Sequence, residues 1–263
     1  MAKNYTKNRW AHLAKYAIEK DLKCCGLWRK KPYCHILFVE DDKQNEAIKK
    51  NLLKRVKADM LAKPHTDAHH LNSSQILCYN FFRPLIDKNG GATQGLVDRL
   101  SEQGIPIKKG AKCTFEYEDD LGDGTQFDFH IASGETEVFF EVKYTEKEFG
   151  PIKRESSART QYKERYAVQF GKQNCLVEKP QDEDDFIKKA KKDYQLYRNS
   201  IRITDKNKHL VLLYPKENEN VEKEAQLFYD QKINDNYKEN VHLVHWENIV
   251  DKESELYKKY FAE

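Results

Sequence analysis

The chain has no apolar run approaching the ~18 residues that a membrane-spanning helix needs, no Cys-x-x-Cys pair among its six cysteines, and almost no net charge, +3 from 46 Lys and Arg against 43 Asp and Glu. Each absence excludes something. The first removes a helical membrane protein from consideration. The second removes the commonest zinc and redox spacings; Cys24, Cys25, Cys34 and His35 can be drawn as a zinc site, but no further spacing supports it, and ordinary reduced thiols are the simpler reading. The third means that the chain as a whole neither demands nor forbids a polyanionic partner, so a nucleic-acid surface would have to be local. The opening MAKNYTKNRW also lacks the apolar core of a secretory signal, so a cytoplasmic protein is expected.

What is present argues for a folded α/β protein. Aromatic residues make up 12% and hydrophobic residues 39% of the 263 positions, too many for a disordered chain despite 34% charged residues. Residues 5 to 22 repeat apolar positions at helical spacing, and CHILFVE at 34 to 40 suits a strand. A helix is predicted over 43 to 62, where Ile48, Leu52, Val56 and Met60 fall four apart on one stripe. HLNSSQILCYNFFRPL reads as a helix capped by Asn72 or Ser73 and ended by Pro84, with Tyr79, Phe81 and Phe82 in the core. A short helix in GATQGLVDRLSEQG stops at Gly104. Strands follow at 112 to 118, 125 to 131 and 136 to 144, then a polar, basic stretch from 150 to 180 read as a loop. A helix at 182 to 200 opens on four acidic residues, Asp182 to Asp185, the sign favoured at the positive end of its dipole. Strands at 209 to 215 and 241 to 246 are separated by a helix near 220 to 231. This order predicts helices on both sides of a mixed sheet. Residues 1 to 62 are read as an N-terminal helical addition and 63 to 263 as the core, together one compact unit.

The two central strands raise a question, because each interrupts its apolar pattern with charge. Strand side chains alternate with period two, so Phe127, Phe129 and Ile131 are predicted on one face and Gln126, Asp128 and His130 on the other. In the next strand Val138, Phe140 and Val142 form the apolar face, with Glu141 and Lys143 opposite beside Phe139. Ala132 to Glu135 reads as a tight connection, and antiparallel pairing then makes Asp128, Glu141 and Lys143 converge.

Two carboxylates on adjacent strands form a hard oxygen site suited to Mg2+, one ion or two, which completes its shell with water and substrate phosphate. A lysine on the same face can touch that phosphate or the attacking water. The chemistry implied is phosphodiester hydrolysis. Glu-x-Lys alone says little in so charged a chain, and Asp41-Asp42-Lys43 is a rival copy; an amphipathic hairpin with a solvated charged face would look similar. Context favours the Glu141 copy, which has Asp128 one strand earlier.

Helix, strand, strand with Asp, strand with Glu-x-Lys and helix, in that order, resemble the PD-(D/E)xK or restriction-endonuclease-like nucleases. HLNSSQILCYNFFRPL, EVKYTE and YQLYRNS further resemble a bacterial branch of restriction endonucleases, over roughly residues 70 to 215. The resemblance implies a three-layer core with a central mixed sheet, Asp128 and Glu141 as metal ligands, and Lys143 as the catalytic lysine. Phe127 stands where the family's nominal proline precedes the aspartate. Gln75 occupies the helix position at which many members carry a glutamate near the metal, and could hydrogen-bond a metal water or serve as a buried amide.

Other residues carry open alternatives. Gln195 and Arg198, three apart in YQLYR, share a helical face from which they could reach a substrate phosphate or orient Lys143. Glu146 suits a salt bridge better than the site, and His70 suits an ordinary polar role. Lys153, Arg154, Arg159, Lys163 and Arg165, with Lys172, form the expected DNA-contacting stretch. The expectation is a Mg2+-dependent endonuclease on double-stranded DNA, a type II restriction enzyme acting as a homodimer, with a possible cognate methyltransferase. A repair or structure-specific nuclease, or a binding module without catalysis, are the alternatives.

Overall fold

The computed structural model describes residues 4–40, 43–54, 56 and 64–262. The elements run α1 (Tyr5–Glu19), β1 (Cys24–Trp28), β2 (Lys31–Leu37), α2 (Gln44–Asn51), α3 (Ser74–Phe82), α4 (Gln94–Ser101), β3 (Lys112–Glu118), β4 (Gln126–Ser133) and β5 (Thr136–Val142). There follow α5 (Glu155–Gln161), α6 (Ala167–Lys172), α7 (Glu183–Ala190), α8 (Tyr194–Ser200), β6 (Lys208–Tyr214), α9 (Glu219–Lys232), β7 (Val241–His245), α10 (Trp246–Ile249) and α11 (Glu255–Tyr260). Strands β1 and β2 form a separate hairpin, and the other five make one sheet in the order β3-β4-β5-β6-β7. The first two pairings are antiparallel and the last two parallel. No helix among the described residues is long and apolar enough to cross a membrane.

Period two decides the layers. In β6, Val211 and Leu213 belong to one buried cluster and Leu210, Leu212 and Tyr214 to the other. The first cluster takes in Leu77 and Phe82 of α3, Leu96 and Leu100 of α4 and Leu256 of α11; the second takes in Phe186 of α7, Leu196 of α8 and Phe228 of α9. The result is the expected three-layer α/β sandwich around a mixed sheet. Phe82 stacks on Phe129 with ring centroids 4.0 Å apart and is fully buried, so Phe82→Ala would cost about 3–5 kcal/mol.

Helix α3 begins where predicted, with the Ser73 hydroxyl accepting from the Ile76 N–H. It ends at a 3-10 turn, Arg83–Leu85, that contains Pro84. Leu13 and Ala17 of α1 share the first cluster with the sheet. The Tyr5 hydroxyl donates to the Tyr144 carbonyl at 3.1 Å, which ties the N-terminal helix to the chain just beyond β5.

Four expectations change. The basic stretch after β5 is not a loop: α5, a π turn at Tyr162–Tyr166 and α6 form a helical run. Ala158, Tyr162, Tyr166 and Phe170 recur every four residues as its buried face, a stripe hidden in the sequence by the charges between. The helix expected over 182 to 200 is interrupted at residues 191 to 193. Phe127 does not share a face with Phe129; it packs on Phe139 at 4.9 Å in the second cluster. The neighbouring strand breaks its alternation at the same level, where Glu116 has a left-handed φ of 49°. Phe115 contacts Phe129, whereas Tyr117, two residues on, packs with the second cluster. The helix predicted over 43 to 62 ends at Asn51, where Leu52 takes extended backbone, so α2 covers Ile48 of the stripe but not Leu52, and Met60 lies outside the described residues.

Candidate active site

The β4–β5 hairpin turns through two residues, Gly134 at φ 66° and Glu135, with Ser133 paired to Thr136. That register carries Phe139 opposite His130 and Phe140 opposite Phe129, so the next pair is Asp128 opposite Glu141. The antiparallel ladder itself ends at Phe129–Phe140. The Val142 N–H turns instead to Asp128 Oδ2 at 2.7 Å, while the Lys143 N–H bonds the Leu213 carbonyl of β6 at 2.8 Å. Glu141 and Lys143 share a face as alternation predicts: Lys143 Nζ donates to Glu141 Oε1 at 2.8 Å, and both side chains are buried.

Helix α8 completes the arrangement. Gln195 Nε2 donates to Glu141 Oε1 at 2.7 Å, and its Oε1 accepts from Lys143 Nζ at 2.9 Å. One turn later Asn199 Nδ2 donates to Glu141 Oε2 at 2.9 Å. Spacing of four puts both amides on one helical face, and together they hold both oxygens of the carboxylate. The Lys143 ammonium also lies 5.5 Å from the centre of the Phe149 ring.

A third carboxylate joins from β3. Glu116 lies opposite Asp128, between the pairs Phe115–Phe129 and Tyr117–Phe127. Its side chain is hydrogen-bonded by Gln75 and lies 3.6 Å from His65 Nε2. Gln75 is buried and also accepts from the His65 N–H at 2.9 Å, so the α3 amide reaches the acidic cluster through Glu116. Burial and then the Glu141 charge push the Asp128 carboxyl well above the usual carboxylate range, with Lys143 opposing. Burial likewise raises Glu116, against the Gln75 hydrogen bond. Burial alone would lower the Lys143 ammonium, but Glu141, Glu146 and Asp128 overcome it and hold it above the ordinary lysine range. The Lys143 ammonium thus feels Glu141, Glu146 and Asp128, while Glu116 interacts with Glu141 and Asp128.

The remaining expected residues separate into groups. Lys153, Arg154 and Arg198 line a cavity of about 530 Å³ whose wall includes Gln195, Tyr194 and Phe149. Arg198 also lies 5.7 Å from the Tyr194 ring centre. Arg159 and Lys163 instead pair with Asp184 and Glu183 in the acidic first turn of α7, and Arg165 donates to the Leu121 carbonyl. The stretch is therefore not one cationic surface. Glu146 makes no salt bridge among the described residues; it accepts from the Tyr144 N–H at 2.6 Å. His70 is buried, which lowers its pKa to about 4. Tyr79 stacks on Phe115 at 3.9 Å, and Phe81 and Phe82 are core.

Two residues of the site were not anticipated. Glu116 falls level with Asp128 once β3 is paired to β4, and Asn199 follows from its spacing of four after Gln195. Among the described residues no three His, Cys, Asp or Glu side chains gather closely enough to hold a metal by themselves. Cys25 and Cys34 are exposed on the β1–β2 hairpin, while His35 is buried and stacks on Trp10 at 4.6 Å, so the zinc drawing fails. Asp41 and Asp42 of the rival motif lie outside the described residues.

Comparison with known proteins agrees with this geometry. No curated protein and no solved structure matches the chain. Residues 9–263 match the family model described as "Restriction Endonuclease associating with ARP". A match over that length, on a chain whose mixed sheet and flanking helices form a restriction-endonuclease-like core, means that the protein belongs to this restriction endonuclease family.

Proposed function

We propose that the chain hydrolyses phosphodiester bonds in double-stranded DNA with Mg2+, as a type II restriction endonuclease. The observation that carries this reading is the bonding of Lys143 and Gln195 to one oxygen of Glu141, and of Asn199 to the other, within electrostatic reach of Asp128.

The donor set fits a hard divalent cation. Asp128 and Glu141 would supply its hard oxygen ligands, and a cation beside Asp128 would favour the ionised carboxylate that burial opposes. Bound there, Mg2+ would polarise the scissile phosphate and ease deprotonation of the attacking water. The chain's own contribution is positioning. Gln195 accepts a hydrogen bond from the Lys143 ammonium, so the lysine is fixed where it can stabilise charge building on the phosphate. Asn199 and Gln195 restrain the Glu141 carboxylate, and the Val142 N–H restrains that of Asp128.

One site per chain suggests a homodimer for cutting both strands, and a cognate methyltransferase would protect the host's own sites in the cytoplasm. Incubating the protein with varied duplex and structured DNA, with Mg2+ and with EDTA, tests the reading. Discrete, Mg2+-dependent fragments support restriction. Structure-dependent or diffuse cutting would replace it with a repair nuclease, and binding without cutting with a non-catalytic module.

A further inference from the structure

The β1–β2 hairpin carries chemistry that the catalytic network does not use. Its two-residue loop is Arg29–Lys30, closed by the pair Trp28–Lys31, and both loop residues have left-handed φ, 48° and 65°. Loops of this kind favour Asn-Gly, because a side chain with a Cβ is strained there. Two long cations occupy those positions instead. Arg29, Lys30 and Lys31 are exposed and in no ion pair among the described residues, whereas their neighbours Lys20 and Lys23 are paired with Glu255 and Glu40. Leu27 beside them is 66% exposed. The Arg29 guanidinium lies 4.5 Å from the Trp28 ring centre, so the tip is a basic, aromatic knuckle.

The knuckle is placed beside the chemistry. Trp28 and Trp10 line a cavity of about 500 Å³ whose far wall includes Gln75, Thr145 and Glu146. Gln75 bonds Glu116, and Thr145 and Glu146 directly follow the Lys143–Tyr144 segment. The indole Nε1 of Trp10 is buried without an acceptor among the described residues.

We infer that the β1–β2 hairpin is a DNA-binding ribbon, in which Arg29, Lys30 and Lys31 neutralise backbone phosphates of the duplex beside the scissile bond. This rests on the nuclease reading and extends it to a segment outside the sheet. A two-stranded ribbon is of a size that the DNA major groove admits, and uncompensated cations at its tip suit the phosphates along the groove edges.

The test is duplex binding across a salt series, with Ca2+ in place of Mg2+. The variant Arg29→Glu, Lys30→Glu, Lys31→Glu should bind on the order of tenfold more weakly or worse, and its plot of log K against log salt should be shallower by about 0.9 for each phosphate no longer neutralised. Lys108→Glu, Lys109→Glu, Lys112→Glu is the control of equal charge change. Lys112 pairs with Ala132 near the β4–β5 turn, the end of the sheet away from Asp128, and this variant should keep the wild-type slope. Arg29→Asn with Lys30→Gly supplies residues that the loop prefers, so it should melt higher yet bind DNA more weakly, which separates an effect on DNA binding from an effect on folding. Wild-type cutting together with unchanged affinity and slope in the hairpin variants would overturn the inference and leave the hairpin to a protein partner. An equal weakening in the lysine control would overturn it too. A wild-type protein that neither binds nor cuts DNA would overturn the nuclease reading, and this inference with it.

Discussion

The Asn199 amide donates to Glu141 Oε2 at 2.9 Å, across 58 residues of chain, while Gln195 of the same helix face donates to Oε1 at 2.7 Å. A carboxylate held at both oxygens by amides keeps its orientation. Changing Asn199→Ala or Gln195→Ala is expected to slow cleavage by about 10–100-fold at saturating DNA while leaving the fold intact. Single-turnover rates and thermal melts measured together check this. Unchanged rates in both variants would make the amides structural only.

Asp128→Asn, Glu141→Gln and Lys143→Met should each reduce cleavage by on the order of 100-fold or more. Isosteric changes are preferred at Glu141, since Glu141→Ala would strand a buried lysine at a cost of about 3–5 kcal/mol. Calorimetric titration should find divalent metal still bound by Lys143→Met and no longer bound by Asp128→Asn. Asp41→Asn should cut normally; an inactive Asp41 variant with an active Asp128 variant would move the site to the rival motif.

The split among the basic residues has its own consequence. Lys153→Glu with Arg154→Glu should weaken DNA binding and flatten its salt dependence, because both side chains are exposed beside the cavity walled by Gln195. Arg159→Glu with Lys163→Glu should change that slope little, because those cations already face Asp184 and Glu183. Equal effects of the two double variants would contradict the arrangement.

Arg202 is buried and bonds both Asp119 and Asp123, at 2.7 and 2.9 Å. Arg202→Met should destabilise the protein by about 3–5 kcal/mol, since two carboxylates would be left without their partner. Despite burial, the guanidinium and Thr125 lower the Asp123 pKa to about 2. A carboxyl with a depressed folded pKa stabilises the fold above its unfolded value near 3.8, and that stability drains as pH falls toward about 2. Denaturant titrations over that window should show a steeper acid loss in wild type than in Arg202→Met.

Lys259 is buried with its ammonium donating to the carbonyl and the side-chain oxygen of Asn51. Burial pushes its pKa down to about 7. A lysine with a depressed folded pKa binds its proton less tightly than in the unfolded chain, so stability should rise with pH from about 7 toward 10.5. Lys259→Met should flatten that rise, and Asn51 keeps a donor to its carbonyl in Asn80 Nδ2 at 3.3 Å. Melting curves at pH 7 and 9.5 compare the two proteins; parallel shifts would show that the lysine is not the titrating group.

Short-range chemistry was enough to read much of the site. Alternation in EVFFEVK puts Glu141 and Lys143 on one face, and the two-residue turn between the strands brings Asp128 level with them, because side-chain direction in a regular strand depends only on near neighbours. Ser73 capping α3 and the acidic start of α7 are local in the same sense. Packing between layers settled the rest. Gln195 and Asn199 reach Glu141 because α8 lies on that face of the sheet, a distance in sequence of 54 and 58 residues that no periodicity encodes. Phe127 lies on the other face, paired with Tyr117 just past the left-handed Glu116, a departure that a repeating pattern does not encode. Whether a cation is free depends on the acid that folding brings to it, as α7 does for Arg159 and Lys163 and as nothing described does for Arg29, Lys30 and Lys31.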